Sequence, residues 1–132
     1  MLNIIKSPLY TTIEEVAEAY QTLQLSAEVE YIIKNKIVGL FNENEFDVNG
    51  DPYAVQCFMG VSNIIGYDIK KANQMLKLKK RVAIGLVDGD DPICIEKETG
   101  HVYLLLLETG DGEEIKIAES VEAFINKIKF QL

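Results

Sequence analysis

Closely spaced carboxylates are the feature of this chain that comes nearest to a chemical motif. They fall into two clusters: Asp47, Asn49 and Asp51 in the first, and Asp88, Asp90 and Asp91 in the second. Oxygen side chains at alternate positions bind Ca²⁺ in EF-hand loops, which also require a glycine at the sixth position. Pro52 and Ile93 stand at that position here. Aspartate and glycine also favour tight turns, and we therefore predict turns at both clusters, with no metal and no other cofactor.

Nucleophilic catalysis has few candidates in this sequence. It needs a thiol or hydroxyl beside a base, and His101 is the one histidine of the chain. His101 directly follows a Thr-Gly turn, which predicts a surface or edge histidine. Cys57 and Cys94 each lie within an apolar run, where a thiol behaves as a small hydrophobe, and we predict no disulfide between them. We expect no catalytic site, although a small hydrolase with dispersed carboxylates, such as Glu45 and Asp88, stays open as an alternative.

The charge balance bears on the class of partner. The chain has 13 basic and 21 acidic residues, a formal net charge of −8. Binding to nucleic-acid phosphates depends on Lys and Arg displacing counterions, so this charge argues against direct contact with nucleic acid. It favours a basic protein partner, or it serves only to keep the protein in solution.

Length and hydropathy predict one globular domain over residues 1–132. A chain of 132 residues is close to the commonest domain size, and 48% of its residues are hydrophobic. Met1 to Pro8 lacks the sustained apolar stretch of a signal peptide, and the longest apolar block, Val102 to Leu107, is far too short to span a bilayer. We therefore expect a cytoplasmic protein without contact to a membrane.

Helices are indicated by N-cap residues that precede apolar side chains at spacings of three and four. The candidate N-caps are Thr12, Ser26, Asp68 and Ser120. Thr12 and Glu15 form a capping-box pattern, and the helix after Ser26 is expected to be short. The helix after Asp68 has an apolar stripe with lysines gathered toward its C-terminal end, where the helix dipole favours them.

Strands are indicated by short apolar, β-rich segments between turn residues. They are Lys36–Phe41, Tyr53–Met59, Val82–Val87, Ile93–Ile95, Val102–Leu107 and Ile115–Ile117. The turn-forming stretch 42–52 is predicted to be the longest loop. Short turns favour antiparallel neighbours, so we predict an α+β fold with a mostly antiparallel or mixed sheet covered by N-terminal, middle and C-terminal helices. The run Leu104 to Leu107 lacks polar alternation, which indicates a covered central strand or an interface. Six apolar side chains are expected to be largely buried: Ile84, Leu86, Ile95, Leu105, Phe124 and Ile128.

The C-terminal half resembles the SUKH superfamily. The resemblance lies in three stretches between about residues 82 and 128: Ile84 to Ile95, with a Gly/Asp turn ending in Asp-Pro; Thr99 to Tyr103, a Thr-Gly hairpin; and Ile117 to Ile125, with an Ala-x-Ser-x-x-x-Phe pattern. These motifs are structural, and their roles as turn, hairpin and helix N-cap agree with the assignments above.

The resemblance implies a protein-binding module. Many bacterial SUKH proteins are immunity proteins that neutralise polymorphic toxins, often nucleases, while fungal relatives regulate cell-wall synthesis. An acidic protein suits a basic toxin domain, because opposed charges steer the encounter. The hypothetical partner-binding residues are acidic and flank the expected turns: Glu43, Glu45, Asp47, Asp51, Asp88, Asp90 and Asp91. A regulatory or adaptor protein of an endogenous complex is the alternative.

Overall fold

The structure is a computed structural model that describes residues 4–5, 13–25, 39–41, 44–59, 68–78, 80–107 and 113–130. The helices within these residues are α1 (Ile13–Thr22), α2 (Ile69–Leu76) and α3 (Val121–Lys127). The strands within them are β1 (Ile4–Ile5), β2 (Gly39–Phe41), β3 (Asn44–Val48), β4 (Asp51–Phe58), β5 (Arg81–Val87), β6 (Pro92–Glu96), β7 (Val102–Leu106), β8 (Glu113–Ala118) and β9 (Lys129–Phe130).

The strands form one antiparallel sheet. Its main order is β1-β2-β4-β5-β6-β7-β8, while β3 pairs with β4 and with the short β9. Every described pair is antiparallel. From β5 to β8 each strand lies beside the next one in the chain, as the short connections require. The predicted α+β fold with an antiparallel sheet is therefore confirmed.

Two of the predicted helix N-caps are confirmed by their hydrogen bonds. The Asp68 carboxylate accepts a hydrogen bond from the Lys71 main-chain N–H at 3.0 Å, and the Ser120 hydroxyl accepts one from the Ala123 N–H at 3.0 Å. Such side-chain acceptors satisfy N–H groups that the first turn of a helix leaves without partners. Thr12 and the helix predicted after Ser26 lie outside the described residues.

The core is one cluster of buried apolar side chains from the sheet and from the helices. Phe124 of α3 is fully buried and makes edge-to-face contacts with Phe46, at 5.0 Å between ring centroids, and with Phe58, at 6.1 Å. Burial was predicted at six positions: Ile84, Leu86, Ile95, Leu105, Phe124 and Ile128. All are buried except Leu86, which is half-buried against the core.

The predicted long loop over residues 42–52 is wrong in its described part. Residues 44–48 and 51–58 form a β-hairpin instead. Asn44, Phe46 and Val48 alternate on the buried face, which is the period of a strand. Asn49 and Gly50 connect the strands with φ of 52° and 89°, the positive values of a tight hairpin turn. The prediction of a loop relied on the turn-forming residues of this stretch and did not take the alternation into account.

Helix α2 is joined to the sheet where β4 ends. Asn73 of α2 donates from Nδ2 to the Ala83 carbonyl at 2.9 Å and accepts at Oδ1 from the Ala83 N–H at 2.7 Å. The Asn73 amide thus takes the place of a strand along this part of β5, which satisfies main-chain groups that would otherwise form an open edge. None of the described helices is long and apolar enough to cross a membrane.

Candidate functional site

Acidic residues from three parts of the chain lie at one end of the sheet. Antiparallel pairing brings the β3–β4 hairpin, the β5–β6 turn and the start of β8, where Glu113 pairs with Leu106, to that end. The Asp88 N–H donates to the Ala54 carbonyl at 2.9 Å, and the Leu107 N–H donates to Oδ1 of Asp91 at 3.1 Å. We call this surface the acidic end and define it by Glu45, Asp47, Asp51, Asp88, Asp90, Asp91 and Glu113.

Strand β3 places two of these carboxylates on one face of the sheet, close to the β5–β6 turn. Glu45 pairs with Ala54 across β3 and β4, and the Ala54 carbonyl accepts the hydrogen bond from Asp88 on the other side. Residues that lie opposite each other in antiparallel strands point to the same face, so Glu45 shares the face of Ala54. Asp47 lies two residues beyond Glu45 and therefore shares this face. Glu45 and Asp47 are half-buried, while Asp88 is exposed.

The other acidic candidates lie around this group. Asp51 is exposed at the tip of the β3–β4 hairpin, three residues or about 10 Å beyond Ala54 along β4. Asp90 is exposed in the β5–β6 turn with φ of 69°. Asp91 is half-buried, and its carboxylate accepts the hydrogen bond from the Leu107 N–H. Glu45 and Asp47 were predicted to lie in a loop and lie in a strand instead, and Glu43 is outside the described residues.

Leu107 adds an exposed apolar side chain to the acidic end, beside Asp91. Its side chain is 48% exposed, and among the described residues only Met75 is another large hydrophobic that is exposed. The sequence analysis assigned Val102–Leu107 to one strand and interpreted the run Leu104 to Leu107 as a covered central strand or an interface. Leu104 and Leu105 are indeed buried on opposite faces, but β7 ends at Leu106, and Leu107 lies outside it.

Sequence reasoning also missed a network around Arg81. The Arg81 guanidinium forms an ion pair with Glu96, a second one with Glu114 at 2.9 Å, and lies 4.0 Å from the centre of the Tyr103 ring. The hydrogen bond from the Thr99 hydroxyl and then the Arg81 charge hold the pKa of Glu96 below its usual 4.5. No sequence signal links Arg81 to Glu114, which is 33 residues away.

His101 lies in a second, smaller group at the opposite end of β7. Its Nε2 lies 3.0 Å from a carboxylate oxygen of Glu119, whose other oxygen accepts from Lys116 at 2.8 Å. The hydrogen bond from Lys116, followed by the charges of Lys116 and His101, lowers the pKa of Glu119. The His101 side chain is 28% exposed and directly precedes β7, as its position after the Thr-Gly turn predicted.

The thiols are unsuited to nucleophilic attack. Cys57 and Cys94 are both buried, as predicted. Burial raises the pKa of Cys94 to about 12, so at neutral pH its sulfur stays protonated, whereas the thiolate is the nucleophilic form. Within the part of the chain that the structure describes, no three His, Cys, Asp or Glu side chains are grouped so that they could hold a metal ion.

A scan against protein-family models matches residues 11–127 to the SMI1 / KNR4 family (SUKH-1). The chain belongs to this family. The match includes all three described helices and the strands from β2 to β8, so it extends well beyond the C-terminal stretches that carry the SUKH resemblance. Searches of curated proteins and of solved structures gave no match.

Proposed function

We propose that this SUKH-1 protein is a protein-binding module whose acidic end docks on a basic partner, and that the partner is a toxin domain which it neutralises in the cytoplasm as an immunity protein. The observation that supports this best is that the exposed Asp51, at the start of β4, and Asp88 and Asp90, in the β5–β6 turn, lie at the same end of the sheet. Family membership and the net charge of −8 are compatible with the same role.

The acidic end combines charged residues that can attract a basic partner with an exposed apolar side chain that can bind it. Exposed carboxylates at a rim raise the rate of association with a positively charged partner. An exposed leucine beside an aspartate of this surface is suited to fill a pocket on that partner, since binding energy concentrates in a few apolar contacts. Turns held by a rigid sheet commonly carry recognition residues. A nuclease toxin would present its phosphate-binding cations to these carboxylates and lose access to its substrate.

The proposal is tested with a charge reversal that spares the fold. We would capture the partner from cells that express both this protein and its partner. The association rate of the partner would then be measured for Asp51→Lys/Asp88→Lys and for the matched control Glu14→Lys/Glu18→Lys on α1. All four side chains are exposed. The first variant should slow association roughly tenfold at low salt, and the control should leave the rate almost unchanged. Equal effects in both, or none in either, would show that the charge serves only solubility.

The identity of the captured partner decides between immunity and regulation. A toxin whose activity the wild-type chain suppresses, and the Asp51→Lys/Asp88→Lys variant suppresses less well, would support immunity. Capture of an endogenous enzyme complex, with no toxin bound, would instead support the regulatory alternative. A small hydrolase is not favoured by the geometry, because Asp88 is exposed on the sheet end and not enclosed beside Glu45 in a cavity.

A further inference from the structure

A groove of about 290 Å³ opens between the end of α1, the exposed side of α2 and the start of β5. It lies at the end of the sheet opposite the acidic end, because Arg81 begins β5 whereas Asp88 follows its last residue. The seven residues of β5 separate the two surfaces by roughly 20 Å. A ligand in this groove would therefore not touch the surface proposed above.

The groove combines an apolar floor with a basic rim. Val82 is buried in it, and Leu23 and Leu78 are half-buried. Lys70 and Lys97 line the same groove and are exposed. In a chain with a net charge of −8, this pairing of apolar and cationic side chains is a local reversal of the overall charge.

The two lysines are available to a ligand. Arg81 also lines the groove, but it is paired with two carboxylates, Glu96 and Glu114, and so adds no positive charge there. Lys70 and Lys97, in contrast, form no ion pair with any side chain that the structure describes. Three more exposed lysines lie outside the groove on or after α2: Lys71, Lys77 and Lys80. They extend the positive field beyond the groove itself.

The walls of the groove are held in place before any ligand binds. Asn73 joins α2 to Ala83 of β5 through two hydrogen bonds, as described above. On the other wall, the buried Tyr20 hydroxyl of α1 donates to the Met59 carbonyl at 3.3 Å, directly after β4. A preformed groove costs little conformational entropy on binding, which favours its use as a recognition site.

We propose that this groove binds an acidic peptide segment of a second protein, with an apolar side chain against Leu23, Leu78 and Val82 and carboxylates beside Lys70 and Lys97. The groove is too small and too open to enclose most of a drug-sized ligand. Its apolar floor offers nothing to a phosphate chain, and the net charge of −8 repels nucleic acid.

The test uses a defined probe, the peptide acetyl-Asp-Glu-Leu-Glu-Asp-amide, titrated against the full chain at low salt and followed by NMR. Its binding should shift the NMR amide signals of Lys70, Gln74 and Leu78. Lys70→Glu and Lys97→Glu should each weaken binding roughly fivefold, since each turns an attraction into a repulsion. Lys71→Glu is the matched control, because it makes the same charge change on α2 outside the groove, and it should change the affinity less than twofold.

Three results would overturn the proposal. One is equal weakening by Lys71→Glu and Lys70→Glu, which would reduce the effect to long-range charge. The second is unchanged affinity when the leucine of the probe is replaced by serine, since the apolar floor would then take no part. The third is tighter binding of a ten-nucleotide single-stranded DNA with the same amide shifts, which would assign the groove to nucleic acid. The Asp51→Lys/Asp88→Lys variant should still bind the peptide, so this test is independent of the proposed function.

Discussion

The main-chain N–H of Leu107 donates a 3.1 Å hydrogen bond to Oδ1 of Asp91. This bond joins the end of β7 to the β5–β6 turn across 16 residues of sequence. It therefore places the exposed Leu107 side chain beside the carboxylates of the acidic end. Asp91 thus stabilises the fold, whereas Asp88 and Asp90 in the same turn are exposed to solvent.

Removing this acceptor should cost stability. We expect Asp91→Ala to lower the free energy of unfolding by about 1 kcal/mol, because the Leu107 N–H loses its partner at a position that water can partly reach. Asp91→Asn keeps an oxygen acceptor and should recover most of the loss. Urea denaturation of the three proteins measures the difference. Equal loss in both variants would mean that the carboxylate charge matters and the hydrogen bond does not.

Leu107 should contribute to binding without contributing to the fold. Leu107→Ala is expected to weaken binding of the captured partner roughly tenfold, mainly through faster dissociation, and to change unfolding by less than about 0.5 kcal/mol. Met75→Ala is the matched control, since Met75 is 70% exposed on α2, away from the acidic end. Surface plasmon resonance separates the rates. If both variants bind like the wild type, Leu107 is not an anchor.

The Asn73 side chain should be important for the attachment of α2. Asn73→Ala removes two hydrogen bonds to Ala83 and one to the Ile69 carbonyl, and we expect a loss of roughly 2–3 kcal/mol in unfolding free energy. Hydrogen exchange of the Ala83 amide should accelerate more than that of the Ile95 amide on β6. Gln74→Ala, at the next and exposed position, should leave both measurements unchanged. Slow exchange at Ala83 in Asn73→Ala would contradict this role.

Cys94 should make the protein less stable in alkali. Burial raises the pKa of this thiol from 9.0 to about 12, so between these values the unfolded chain has released a proton that the folded chain still holds. Stability from this group is complete below about pH 9 and decreases as the pH rises toward 12. Cys94→Ala should therefore show a shallower decrease in unfolding free energy over this range. Burial also raises the pKa of Tyr20, but this changes the stability of the wild type and of Cys94→Ala equally.

Local patterns were sufficient for much of the secondary structure. The N-caps at Asp68 and Ser120 could be predicted because the capping bond joins residues three apart in the chain. The strands from β5 to β8 could be predicted because apolar runs between short turns have few other ways to fold. The same reasoning failed over residues 44–52, where the turn-forming residues outweighed the alternation of Phe46 and Val48.

By itself the sequence determined the fold class, the burial of most core positions, the excess of acidic residues and the similarity to the SUKH superfamily, because these depend on composition and on contacts between near neighbours. Only the tertiary structure decided which charges share a surface. Asp51 and Asp88 lie at the same end of the sheet because β4 pairs with β5 in one register, and Arg81 contacts Glu114 because four strands lie in one order. Register and strand order are set by the packing of the whole core, and no short stretch of sequence records them.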